Sequence, residues 1–185
     1  DIVGLIGPNG AGKTTVVNLI SGLLQPVSGN IILDGEDITN NPTHKRSQKG
    51  LVRTFQSTVV YTAQTVRENV LRGSFMQLYP GFFAALVRTT AAKKMEQAAR
   101  QSADKILSLL GLTLFADTLA GSLPYGIQKT LGIAIALAAE PKLLLLDEPV
   151  AGLSAEEVDH VKNTIKTVRS NGVTVVVIDH NMRFI

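Results

Sequence analysis

The segment Gly7-Pro8-Asn9-Gly10-Ala11-Gly12-Lys13-Thr14 fits the pattern G-x-x-x-x-G-K-[ST] and follows directly on the apolar run at residues 2–6. Residues 14–21 then show helical spacing (Val16, Leu19, Ile20) and stop at Gly22, so the motif falls between a predicted strand and a predicted helix. Few folds accept such a turn. Its glycines let backbone N–H groups converge on phosphate oxygens, since only a residue without Cβ tolerates those conformations and that approach. The positive end of the following helix adds to the field. In this placement Lys13 reaches the β- and γ-phosphates of a nucleotide, and the Thr14 hydroxyl coordinates Mg²⁺.

A second signal is the run of four leucines at 143–146 followed by Asp147-Glu148. Leucines can be buried on both faces of a sheet, but two adjacent carboxylates cannot, so the acids emerge at the strand's carboxyl end. Ligands of open α/β sheets bind at that edge. There Asp147 can hold Mg²⁺, directly or through water, and Glu148 can polarise an attacking water. The apolar run 173–178 repeats the logic by leading into Asp179-His180, which places His180 for contact with a γ-phosphate. Each pattern alone also suits solvated acids or a structural histidine; the phosphate loop gives the functional reading its weight. His44 and His160 lack such placement and read as surface histidines.

The remaining pattern describes one α/β domain of 185 residues with a mainly parallel sheet. Residues 31–33 and the Asp34-Gly35 turn suggest a hairpin, and residues 51–55 a strand. Helical spacing fills residues 66–110, opened by the capping box Thr65-x-x-Glu68 and interrupted at Pro80-Gly81. A helix follows over about residues 128–139, and a second capping box, Ser154-x-x-Glu157, opens a helix to about residue 170. A 45% hydrophobic share suits buried parallel strands, while no apolar run approaches the roughly 20 residues of a membrane span. A formal charge of +3 invites a nucleic-acid reading, but the basic residues are scattered. The tightest group, Lys45, Arg46, Lys49 and Arg53, reads as the solvated face of a polar connection, and no nucleic-acid partner is expected. With no cysteine there is neither disulfide framework nor thiolate metal site, in keeping with a cytosolic setting. Both ends read as cut, and the chain is expected to be a fragment.

These residues resemble the ATP-binding cassette (ABC) family over essentially the whole chain. The resemblance implies a P-loop NTPase fold, an ABC ATPase truncated at both ends, with a helical subdomain at about 66–140 inserted in a RecA-like core. Gly7, Pro8, Asn9, Gly10, Ala11, Gly12, Lys13, Thr14 and Thr15 look like its Walker A loop. Residues 143–147 look like its Walker B strand, Glu148 its catalytic carboxylate, Ala151-Gly152-Leu153-Ser154 its D-loop and His180 its switch histidine. Gln56 looks like its Q-loop glutamine, which implies a catalytic and a metal role beside Thr14 and Asp147. Leu123-Pro124-Tyr125-Gly126-Ile127 with Gln128 corresponds to the family signature, with Pro124 in place of a serine. That exchange removes a hydroxyl and a backbone N–H.

The Tyr-Gly signature and the insertion with Pro80-Gly81-Phe82-Phe83 are similar to the ATP-binding subunits of branched-chain amino-acid importers, and related urea or amide importers look similar. By resemblance, Mg²⁺ and ATP bind between two cassettes, the second subunit being identical or different. The helical insertion docks on a transmembrane permease at the cytoplasmic face of the inner membrane, and a solute-binding protein acts indirectly. Phe75, Tyr79, Phe82 and Phe83 either line that docking surface or pack the subdomain's core. The main rival is a soluble ABC ATPase without a permease. A GTPase switch lacks support, because no Asn-Lys-x-Asp motif occurs. A module that binds nucleotide without hydrolysing it has only Pro124 in its favour.

Overall fold

The computed structural model of the chain describes residues 1–8, 10–54, 60–74 and 90–179, with the backbone alone at 90–93. Strand β1 (Ile2–Ile6) leads through the glycine loop into α1 (Lys13–Ser21). The hairpin β2 (Ile32–Leu33) and β3 (Glu36–Asp37) turns at Asp34 and Gly35, both at positive φ. Then come α2 (Thr43–Gln48), β4 (Leu51–Thr54), α3 (Val66–Gly73) and α4 (Thr90–Leu109). Helix α5 (Tyr125–Leu137), β5 (Leu143–Asp147), α6 (Ala155–Ser170) and β6 (Thr174–Asp179) complete the described chain.

The main sheet has the order β1-β6-β5-β4 and every pairing in it is parallel. Its central strands are buried on both faces, which is why they read as unbroken apolar runs. Leu144 and Leu146 of β5, with Val175 and Val177 of β6, join the larger core beneath α5 and α6. Leu145 and Ile178 point the other way, against Val17 of α1 and Ile38. The period of two therefore divides one strand between two cores.

Both expected capping boxes form. The Thr65 hydroxyl accepts the Glu68 amide at 3.2 Å, and the Ser154 hydroxyl accepts the Glu157 amide at 3.4 Å. Helix α5 starts three residues earlier than its sequence pattern suggests, because Pro124 in extended conformation serves as the N-cap. Its C-terminal half crosses α3 closely: a Cβ on Gly73 would lie 2.1 Å from the Ile135 carbonyl oxygen.

The basic cluster is a correction. Residues 43–48 form a helix, and two of the four residues read as a solvated face are internal. Arg46 is fully buried and donates to the carbonyls of Asn41 (2.7 Å), Leu19 (2.6 Å), Ile20 (2.7 Å) and Thr39 (2.6 Å). It thus satisfies carbonyls at the last turn of α1, where a helix leaves them without partners. Gly22 caps that helix at φ +81, and a Cβ there would meet Arg46 Nε at 2.9 Å. Lys45 is exposed, as expected, and so are His44 and His160.

Candidate functional site

The parallel register sets three strand ends abreast. Ile6 pairs with Asp179, and Ile178 pairs with Asp147, so the glycine loop, Asp147-Glu148 and the end of β6 all leave one carboxyl edge. In the loop, Gly10 and Gly12 take φ of +83 and +88, values that L side chains adopt only under strain. Gly7 faces a tighter limit, since a Cβ there would meet the Ala11 Cβ at 3.2 Å. Lys13 folds back over its own loop, donating to the carbonyls of Gly7 (2.6 Å) and Pro8 (2.9 Å). Gly10, Ala11, Thr14 and Thr15 are exposed around the start of α1, where its unpaired amides lie.

At the end of β5, Asp147 is nearly buried and its Oδ2 accepts from Arg53 Nη2 at 2.8 Å. Arg53 Nη1 also donates to Asn18 Oδ1 at 2.7 Å and to Ser21 Oγ at 3.2 Å, both on α1. Glu148 follows at φ +47, in the left-handed region, with its amide on the Ile178 carbonyl at 2.8 Å. A non-glycine residue there is held against its preference, as is common where a side chain must be aimed at a site.

Residues 123–128, which resemble the family signature, pack on residues 151–157. Leu123 is buried, Tyr125 is half-exposed, and a Cβ on Gly152 would meet Tyr125 Cε1 at 3.6 Å. The Gly126 amide donates to Glu157 Oε1 at 3.1 Å, and Gln128 Nε2 turns back onto the Leu123 carbonyl at 2.9 Å. Lys129, also buried, lies 5.3 Å from the Tyr125 ring. The Ser154 amide, then the Ser154 hydroxyl and the Gly126 amide, hold the Glu157 carboxyl below the ordinary glutamate range.

Asn9, Gln56, His180 and the aromatic group Phe75, Tyr79, Phe82 and Phe83 lie outside the described residues. Arg53 and Glu157 were missed as site residues. Glu157 carried a signal, its capping box, but not its reach to Gly126. For Arg53 the usable signal was an arginine inside an apolar strand, which needs a buried partner.

Comparison with known proteins agrees with this geometry. The family described as "ABC transporter" matches residues 1–151. The high-affinity branched-chain amino acid transport ATP-binding protein BraF of Pseudomonas aeruginosa is 44% identical over 185 residues, 100% of this chain and 72% of that protein. Its counterpart LivG of Escherichia coli is 37% identical, over 100% of this chain and 73% of its own length. The lipopolysaccharide export ATP-binding protein LptB of Haemophilus influenzae is 36% identical, over 99% and 70%. Among solved structures, an ATP-binding cassette of an ABC transporter in its ADP conformation superposes with a TM-score of 0.84. It is 32% identical, covering 100% of this chain and 72% of that one.

Proposed function

The chain belongs to the ABC transporter family, and on that basis we propose that it is the ATP-hydrolysing subunit of an importer for branched-chain amino acids or related small solutes. The observation that carries the catalytic part is the convergence of the glycine loop, Asp147-Glu148 and the end of β6 on one sheet edge. The solute class rests on the 44% identity to BraF, against 36% to the exporter subunit LptB.

In this reading the loop amides and the first turn of α1 bind the triphosphate, and the Lys13 ammonium leaves the Gly7 and Pro8 carbonyls for the β- and γ-phosphates. The Thr14 hydroxyl and the Asp147 carboxylate are hard oxygen donors of the kind Mg²⁺ prefers. When bound, Mg²⁺ supplies charge neutralisation at the β- and γ-oxygens. Glu148 orients the attacking water and accepts its proton, while Gln56 and His180 complete the γ-phosphate surroundings.

The signature residues Leu123, Pro124, Tyr125, Gly126 and Gln128 serve the nucleotide of a second ATP-binding subunit. Helix α5 starts there, although Pro124 contributes no amide and that of Gly126 is held by Glu157. By likeness to the transport ATP-binding protein BraF the subunit works peripherally on permease subunits, with the helical segment at about 66–140 as the docking part. Among the described residues no helix is long and apolar enough to cross a membrane.

The test is reconstitution of the full-length protein with its permease in liposomes, adding a binding protein loaded with leucine, isoleucine or valine. ATP hydrolysis should rise with the loaded binding protein and solute should enter. Full turnover by the protein alone, with no permease co-purifying from membranes, would favour a soluble ATPase instead.

A further inference from the structure

Arg53 is the one member of its basic cluster that touches the catalytic edge. It is the third residue of β4, in register with Leu145, one strand away from the end of β5. Its side chain is 8% exposed and that of Asp147 is 11%, so the pair sits largely out of water. The two guanidinium nitrogens divide their work. Nη2 holds Asp147 Oδ2, and Nη1 holds Asn18 and Ser21, three residues apart on one face of α1. One rigid cation thus joins three elements: the strand that bears it, the strand end carrying Asp147, and the helix whose first turn carries Lys13 and Thr14.

We propose that Arg53 is a positioning residue for Mg²⁺: it fixes the rotation of the Asp147 carboxylate and the spacing between Asp147 and Thr14. The inference rests on the reading of Asp147 and Thr14 as the residues that hold the ion. Mg²⁺ demands near-octahedral geometry with short bonds of about 2.0–2.1 Å, so its donors tolerate little drift. Among the described residues Arg53 is the side chain that holds this carboxylate, and its bond engages Oδ2, which leaves Oδ1 for another ligand. The link through Asn18 and Ser21 transmits the same constraint to α1. Lysine cannot do this, because a single ammonium lacks the planar fork that meets a carboxylate on one side and two helix groups on the other. Partners that orient metal ligands are worth about 10- to 100-fold in metal affinity.

The experiment is calorimetry of ATP binding to the full-length protein across a Mg²⁺ titration, with EDTA as the metal-free reference. It compares wild type with Arg53→Met, Arg53→Lys, Asn18→Ala and Asp147→Asn. Arg53→Met should bind metal-free ATP as wild type does but require roughly 10- to 100-fold more Mg²⁺ for the same enhancement. Arg53→Lys, which keeps the ion pair and loses the link to α1, should fall between, as should Asn18→Ala. A folded Arg53→Met with an unchanged Mg²⁺ requirement would reduce Arg53 to a structural pair and overturn the proposal. Should that variant not fold, Asn18→Ala decides: a Mg²⁺ requirement equal to wild type sinks the idea. Asp147→Asn separates the two levels, because no change in its Mg²⁺ requirement means that the metal reading itself has failed.

Discussion

Glu157 accepts the Gly126 amide through Oε1 at 3.1 Å and the Ser154 amide through Oε2 at 2.9 Å, so one carboxylate ties the start of α5 to the start of α6. A Cβ at residue 126 would lie 2.8 Å from that same Oε1, so any larger residue there would push the carboxylate away. The Gly126 amide and the first turn of α6 therefore share one anionic anchor.

That anchor is pH-dependent. The hydrogen bonds from Ser154 and Gly126 lower the folded-state pKa of Glu157, so the folded protein binds the proton less readily than the unfolded chain. The stabilisation is present above the ordinary glutamate value of about 4.3 and is lost as pH falls through the lower folded value. Glu157→Gln retains an acceptor for the helix cap but has nothing to titrate. Melts between pH 7 and pH 3.5 should show a steeper loss in wild type than in Glu157→Gln; parallel curves would mean that this carboxylate contributes nothing to acid sensitivity.

Gly73→Ala should destabilise the helical part. The added methyl would collide with the Ile135 carbonyl at 2.1 Å and with Ala138 Cβ at 2.9 Å, so α3 and α5 must separate. Backbone cannot step aside as a side chain does, and overpacking of this kind costs about 1–3 kcal/mol. Thermal melts should show a loss of several degrees. A melting temperature equal to wild type would contradict this close crossing.

Why some of this was legible in the sequence and some was not follows from the range of the interactions. The glycine loop, the two capping boxes and the Asp34-Gly35 turn each depend on residues no more than seven positions apart, and their patterns translate directly into structure. The place of Asp147-Glu148 at the carboxyl edge was readable because four leucines followed by two acids leave one physical solution. Arg46 and Arg53 were misread because their partners lie far along the chain: Arg46 reaches back 27 residues to Leu19, and Arg53 forward 94 to Asp147. Counting charges in a window treats such residues as solvated, whereas a fold that buries them must supply carbonyls or a carboxylate.

Arg46→Met tests that distinction. It removes the side-chain donor from four carbonyls, two of them in the last turn of α1, of which Leu19 keeps the Gly22 amide. Losing hydrogen bonds to a charged donor should cost roughly 2–4 kcal/mol even after partial rehydration. Lys45→Met, one residue away but exposed, should change stability by less than about 0.5 kcal/mol. Urea denaturation of the two variants side by side gives the answer, and equal midpoints would return Arg46 to the solvated face.

The final prediction separates Glu148 from Asp147. Asp147 continues the strand and is gripped by Arg53, whereas Glu148 turns out of the sheet at φ +47 with its amide pinned to Ile178. One carboxylate is thus held by Arg53, and the other follows where the backbone leaves the sheet. Glu148→Gln keeps the strand, the Asp147 pair and a nearly isosteric side chain, so Mg²⁺-ATP should still bind. Only assistance to the attacking water is lost, and general-base help is typically worth about 10²- to 10⁴-fold. In full-length Glu148→Gln, steady-state hydrolysis should fall by roughly that factor while ATP stays bound, and size-exclusion chromatography with ATP and Mg²⁺ should show a trapped dimer. Wild-type hydrolysis in the variant would remove Glu148 from the chemistry. Lost hydrolysis in an ATP-loaded monomer would keep Glu148 and instead count against the two-cassette arrangement, pointing to Pro124, where the signature offers the second nucleotide neither hydroxyl nor amide.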